Sequence, residues 1–124
     1  MEKRKLNVLG LSYSQSNDGS CVVILSDEQS KLKLPVIVKP IEAHRIVLEV
    51  EKIKPPRTMM HDFVKNMTDV FNIQIREIYI HSILEGIYYT KIIATNDIEE
   101  IEIECSTGDA ISLSMIYKCP IFAS

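Results

Sequence analysis

The chain has 124 residues, 46% of them hydrophobic and 25% charged, with a formal net charge of −3. This balance is typical of one globular domain with its own core and argues against a general nucleic-acid binder, so we expect a single domain over residues 1–124. No apolar run approaches the ~18 residues of a membrane span, and no secretory leader follows the charged start, so we expect a soluble cytoplasmic protein. Cys21, Cys105 and Cys119 are too widely spaced to predict a disulfide framework or a zinc knuckle.

The first third of the chain predicts three strands. Residues 6–13 alternate between apolar and polar, with a change of phase at Gly10 that predicts a bulge. Asn17-Asp18-Gly19 predicts a hairpin turn. Residues 21–25 and 32–38 are apolar and rich in β-branched side chains, so they predict two further strands.

Two helices are predicted next, joined by a stiff segment. Pro40 suits the first position of a helix, and Arg45 is spaced to pair with either Glu42 or Glu49. Pro55-Pro56 excludes helix and fixes an extended joint. Thr58 is then the predicted N-cap of the second helix, whose apolar side chains recur at helical spacing and predict a core-facing stripe. That stripe consists of Met60, Phe63, Val64, Met67, Val70 and Phe71.

The second half predicts three strands, a helix and a last strand. Ile73 to Ile80 alternates with a change of phase at Arg76-Glu77, which predicts a second bulge. Ile101, Ile103 and Cys105 alternate with glutamates, as in a strand with one covered face. The remaining predictions are a strand at 87–94, a capping box from Ser106 to Asp109, a buried helix at 110–117 and an edge strand at 120–122. The order βββ-αα-βββ-α-β predicts an α+β fold with a largely antiparallel sheet.

Charge is distributed unevenly along the chain. Residues 31–57 contain seven basic and three acidic side chains, and residues 97–109 contain six acidic and no basic ones. Such asymmetry marks either opposed binding faces or two solvated faces that attract each other within or between subunits. Charge alone favours the second interpretation.

Candidate chemistry is confined to polar residues near helix starts, because the sequence has no glycine-rich phosphate loop and no nucleophile elbow. Glu42, His61, Asp62 and Asp109 lie in predicted first turns, where the helix dipole favours carboxylates and attracts phosphate. Asp62, Glu104 and Asp109 are hard oxygen ligands that could hold Mg²⁺ or Mn²⁺ and activate water against a phosphodiester. Each residue also has an ordinary structural role as a cap, a dipole partner or a solvated charge, and the residues alone favour that role.

The chain resembles the bifunctional nuclease family along nearly its whole length. The motifs that carry the resemblance are Leu34-Pro35-Val36-Ile37-Val38, Glu42-Ala43, Lys54-Pro55-Pro56-Arg57, His61-Asp62, Glu85-Gly86-Ile87-Tyr88-Tyr89, Asp109-Ala110-Ile111 and Cys119-Pro120-Ile121-Phe122. No single motif is specific, but seven of them stand in the family's order and spacing. The resemblance implies a compact, self-associating α+β domain, a dimer or larger homo-oligomer, that cleaves DNA and RNA.

Two functions follow from this resemblance. In a metal-dependent nuclease, Asp62, Glu104 and Asp109 hold the ion, and His61 moves a proton in a cluster with Glu42. The phosphate contacts then come from Arg57, Lys39 and Lys54. The alternative is a non-catalytic binding or assembly module of the same fold, which the net acidity favours.

Departures from the family pattern predict a weakened or inactive nuclease. Lys39 stands where the family usually has glycine, Met60 where it has threonine, and Ser82 where it has aspartate. Ser106-Thr107-Gly108-Asp109 replaces an Arg-Pro-Ser-Asp run. Arg57 and Lys39 are the residues that could supply the missing positive charge.

Overall fold

The chain folds into one seven-stranded sheet with three helices, as described by a computed structural model for residues 3–13 and 21–124. The elements are β1 (Arg4–Tyr13), β2 (Cys21–Asp27), β3 (Lys33–Val38), α1 (Pro40–Val50), α2 (Met60–Val70), β4 (Gln74–Leu84), β5 (Ile87–Thr95), β6 (Glu100–Cys105), α3 (Thr107–Tyr117) and β7 (Ile121–Ala123). The predicted α+β class and element order are confirmed. The predicted turn at Asn17-Asp18-Gly19 lies outside the described residues. None of the helices described here is long and apolar enough to cross a membrane.

The strands lie in the order β3-β2-β1-β7-β4-β5-β6, and only the β4–β7 pair is parallel. Both predicted bulges are present, one between Val8 and Gly10 and the other between Ile75 and Glu77. Each bulge adds local twist. The sheet is curled, and the hydroxyl of Tyr88 on β5 donates a hydrogen bond of 2.8 Å to the carbonyl of Pro35 on β3.

The core lies inside this curl, where α3 is enclosed. Alternate residues of β2 point inward, and Val23 and Leu25 are fully buried. Ala110 and Ile111 of α3 are also fully buried, as expected for a helix that is apolar nearly all round. The prediction of a buried third helix is therefore confirmed, and α3 becomes the support against which α1 and α2 pack.

The final strand is not the predicted edge strand. β7 inserts between β1 and β4 and so lies in the centre of the sheet. Pro120 precedes the strand, and its carbonyl accepts a hydrogen bond from the backbone of Ile78 at 3.0 Å. Proline therefore does not interrupt the ladder, and a three-residue strand can occupy a central position.

The apolar stripe of α2 is largely exposed, contrary to the sequence prediction. Of the six residues assigned to the core, only Val64 packs against it, and His61 is the buried residue of the helix. The N-cap is Met59 rather than Thr58. The apolar face of β6 is likewise uncovered, since Ile101 and Ile103 are exposed.

Candidate active site

The starts of all three helices meet at one place on the fold. At the start of α1, Pro40 supplies the preset backbone angle, and the backbone N–H of Lys39 donates to Oε1 of Glu42 at 2.8 Å. This bond folds the Glu42 side chain back over the helix start. Glu42 is 6% exposed, and its carboxyl group is directed at the first turn of α3.

Gly108 makes this approach possible. A Cβ atom at position 108 would overlap the Glu42 carboxyl group, so no side chain fits there while Glu42 keeps its position. Ser106, the N-cap of α3, lies 3.4 Å from the second Glu42 oxygen and donates to Oδ2 of Asp109 at 2.7 Å. The predicted cap is confirmed, and Ser106 also connects the two acids.

His61 joins the cluster from α2. Its Nε2 lies 2.8 Å from Oδ1 of Asp109, and because a carboxylate accepts, Nε2 is the protonated nitrogen. The side chain is 5% exposed, and Nδ1 has no hydrogen-bond partner among the described residues. With Nε2 directed at Asp109, Nδ1 is the ring nitrogen left without a contact in the described part of the chain.

The two acids of the cluster titrate in opposite directions. Burial raises the pKa of Glu42, and the neighbouring Asp109 adds to this, although the Lys39 backbone bond acts against it. Burial also opposes ionisation of Asp109, but hydrogen bonds from Ser106, His61 and Glu42 outweigh it and lower the pKa of Asp109. Glu42 is therefore the acid of the pair that ionises less readily, and Asp109 is the one that ionises more readily.

Cys105 ends β6 beside this cluster. Burial, together with the charges of Asp109 and Glu42, raises the pKa of its thiol to about 11. A thiol with this pKa carries almost no thiolate at neutral pH. Cys105 therefore does not have the properties of a nucleophile.

Asp62 is turned away from the cluster. It receives two hydrogen bonds from the Arg45 guanidinium, at 2.8 and 3.1 Å, and Arg45 also contacts Glu49 at 3.1 Å. Arg45 is 2% exposed, so this bidentate contact is a buried anchor between α1 and α2. The predicted Arg45–Glu49 pair is confirmed. The sequence did not reveal that Asp62 would share the same arginine.

Glu104 does not join the cluster either. Adjacent residues of a strand point to opposite faces, and Cys105 faces the site, so Glu104 faces outward, where it is exposed. Within residues 3–13 and 21–124, no group of three or more His, Cys, Asp or Glu side chains is placed to hold a metal ion. The expected ligand set of Asp62, Glu104 and Asp109 is not assembled in this chain.

Two cavities flank Glu42. The larger, of about 750 Å³, lies between the starts of α1 and α2 and the end of β6, and includes Met60, His61, Val64, Asp109 and Leu113 in its wall. The smaller, of about 510 Å³, shares Lys39 and Glu42 with it. Lys39 therefore brings positive charge to both. Lys54 and Arg57 are exposed in the joint before α2 and line neither of these two cavities.

Sequence reasoning identified Glu42, His61 and Asp109 but missed three residues that set their geometry. Ser106 was predicted only as a cap, and Arg45 only as a surface pair. A glycine in the first turn of an apolar helix was the available signal for Gly108, since glycine weakens a helix and requires another reason to be there.

Three helix starts bring a histidine and two carboxyl groups to the wall of one cavity, so the chain is an α+β domain with a histidine–carboxyl cluster. The family model of the bifunctional nuclease domain matches residues 23–124, and the chain belongs to that family.

The relatives that match most of this chain are distant in sequence. The uncharacterized protein Rv1829 of Mycobacterium tuberculosis (strain ATCC 25618 / H37Rv) is 23% identical over 118 residues, which cover 95% of this chain and 70% of that protein. Bifunctional nuclease 1 of Oryza sativa subsp. japonica is 26% identical over 103 residues, covering 81% of this chain. The match spans only 31% of the rice protein.

Proposed function

We propose that this domain hydrolyses phosphodiester bonds in DNA, RNA or both. The observation that carries the proposal is the 2.8 Å contact between His61 and Asp109, beside the Glu42 carboxyl group, whose pKa is raised by burial. Membership of the bifunctional nuclease domain family supports nucleic acid as the substrate class.

His61 is the general base of the proposed reaction. Its Nε2–H is held by Asp109, so Nδ1 removes a proton from the attacking water, and the Asp109 carboxylate stabilises the resulting imidazolium. Nδ1 is buried, so the proposed reaction requires that the attacking water enter from the larger cavity, whose wall includes His61 and the exposed side chains of Ile41 and Met60.

Glu42 is the general acid. Because burial raises its pKa, it is poised to keep the proton that the leaving oxygen requires. A P–O bond forms to water as the P–O bond to the leaving group breaks. One proton moves to His61 and one leaves Glu42. Proton transfer from the imidazolium back to Glu42, through solvent, restores the site.

Positive charge for the phosphate comes first from Lys39, which lines both cavities beside Glu42. Arg57 and Lys54 then extend the contact along a nucleic-acid strand, as the resemblance implies. Asp62 acts through Arg45 as a positioning residue, since it fixes the start of α2 that carries His61.

No step of the proposed hydrolysis uses a divalent metal ion. Asp62 is bound to Arg45 and Glu104 faces outward, so the donor set does not fit an ion in this arrangement. The proposed chemistry uses the protein's own side chains, and Mg²⁺ or Mn²⁺ is a variable of the assay.

Cleavage of end-labelled single-stranded RNA, single-stranded DNA and duplex DNA tests the proposal, with Mg²⁺, with Mn²⁺ and with a chelator. His61→Ala is expected to lower the cleavage rate about 100-fold or more, as for loss of a general base. Glu42→Gln is expected to remove the limb of the pH–rate profile that depends on a protonated acid. His44→Ala is the matched control, because His44 is exposed on α1 and belongs to no part of the cluster.

Equal cleavage by the wild type and the His61→Ala variant would assign the activity to a contaminating enzyme. No cleavage by the wild type, with retained binding of the same oligonucleotides, would favour a non-catalytic binding module.

A further inference from the structure

The helix α2 presents an exposed apolar face that the rest of the described chain does not cover. Met60, Phe63, Met67, Val70 and Phe71 fall on one side of the helix, and Val70 and Phe71 are 76% and 68% exposed. Contiguous apolar surface of this kind usually marks an interaction site. The adjoining side of the same helix is occupied, since His61 is buried and Val64 packs against the core.

The surface continues beyond α2 to the turn between β5 and β6. Asp69, Asn72 and Asp97 line a common cavity, so this turn lies beside the end of α2. Ile98, in the same turn, is highly exposed, and Ile101 and Ile103 of β6 are exposed as well. We call the exposed apolar residues of α2, β6 and this turn the α2 face.

Opposite charges stand at the two ends of the α2 face. The joint that leads into α2 carries Lys52, Lys54 and Arg57, and the turn beside its other end carries Asp97, Glu99 and Glu100. All six residues are exposed, and none of them forms an ion pair in the part of the chain that the structure describes. The face is therefore apolar in the middle, basic at one end and acidic at the other.

We propose that the α2 face binds a second copy of this chain across a two-fold axis, with the two α2 helices antiparallel. In this orientation the basic end of each copy meets the acidic end of the other, and the apolar side chains pack between them. A parallel arrangement would place like charges together at both ends. A helix of 11 residues is about 16 Å long, so both charged contacts lie within reach of one helix–helix interface.

The interface would also complete the wall of the His61 cavity. Met60 belongs both to the α2 face and to that cavity. In the antiparallel pair, the end of the second α2, with its Val70 and Phe71, lies against the start of the first. The proposal does not rest on nuclease activity, since its test measures mass and association.

Sedimentation equilibrium of the full chain is the first experiment. The wild type is expected to have the mass of two chains, and Val70→Glu is expected to have the mass of one, 14.1 kDa. Val70 is exposed in the single chain, so its fold should persist, as far-UV circular dichroism will show. Ile37→Glu is the matched control, because Ile37 is 75% exposed on β3, away from the α2 face.

A charge swap tests the orientation. Lys54→Glu with Arg57→Glu is expected to raise the dissociation constant of the pair about tenfold or more, and Asp97→Lys with Glu99→Lys is expected to do the same. Combining all four substitutions in one chain restores complementarity, so the dissociation constant should return to within about threefold of the wild-type value.

Three results would overturn the proposal. A wild-type chain that remains a monomer at all concentrations would leave the α2 face for a different partner. A two-chain mass that survives Val70→Glu would place the interface elsewhere. If the fourfold variant has a dissociation constant higher than that of either double variant, the charge substitutions are merely additive, and this result would exclude the antiparallel arrangement.

Discussion

At the scale of single residues, the cluster of His61, Glu42 and Asp109 depends on the direction in which each side chain points. His61 and Asp62 are neighbours on α2, where successive side chains are about 100° apart, so only one of them can face Asp109. The sequence predicted that both lie in the first turn and could not decide which one faces inward. The buried Arg45 decides it, because it binds Asp62 and leaves His61 to Asp109.

Glu42 gives a pH-dependent prediction. Its pKa is raised in the folded chain by burial and by Asp109, so the unfolded chain releases that proton at lower pH than the folded chain does. Glu42 therefore favours the fold below the unfolded pKa, and this contribution is lost as the pH rises through the folded pKa. As the pH rises above about 4, Glu42→Gln should therefore gain stability relative to the wild type.

Urea unfolding across that pH range measures the difference in free energy between Glu42→Gln and the wild type. Glu104→Gln is the control, since Glu104 is exposed on β6 and lies outside the cluster. A difference for Glu42→Gln that falls with rising pH would show that burial does not govern this carboxyl group.

At the scale of elements, the sequence predicted element types better than it predicted their neighbours. Periodicity located α1, α2 and both bulges, and a capping box with an apolar run located α3, because all of these patterns are local. It placed β7 at an edge and the stripe of α2 in the core, because both assignments depend on which elements distant in sequence pack beside them. A three-residue strand has no local signal for a central position.

The Arg45 anchor between α1 and α2 gives a prediction at this scale. Arg45→Met should lower the free energy of unfolding by about 1–3 kcal/mol, because it removes a buried bidentate contact and leaves two carboxylates without their partner. Lys65→Met is the matched control. It removes the exposed pair with Asp69 on α2, and such pairs contribute at most about 0.5 kcal/mol.

Chemical denaturation of both variants gives this comparison directly. Equal losses for Arg45→Met and Lys65→Met would mean that burial adds nothing to the anchor. Loss of cleavage by Arg45→Met under conditions where it remains folded would further support Asp62 as the residue that positions His61.

At the scale of the whole molecule, the curled sheet brings distant parts of the chain to the same centre. The cluster combines residues from the starts of three helices, of which Glu42 and Asp109 are far apart in sequence. The family resemblance predicted their order along the chain, and their convergence depends on α3 filling the curl. Composition predicted one core of ordinary size but carried no information on this closure.

The curl of the sheet, which brings β3 close to β5, can be tested with two adjacent tyrosines of β5. Tyr88 donates its hydroxyl to the carbonyl of Pro35 on β3, across the opening of the curl, so Tyr88→Phe should lower the free energy of unfolding by about 1 kcal/mol. Tyr89→Phe is the control, since Tyr89 is exposed and its hydroxyl has no partner among the described residues. Its effect should stay within about 0.5 kcal/mol.

Hydrogen exchange should then accelerate at β3 in Tyr88→Phe alone, because β3 is the strand that the bond holds against the rest of the sheet. Unchanged exchange at β3 would mean that pairing with β2 is sufficient to keep the sheet curled.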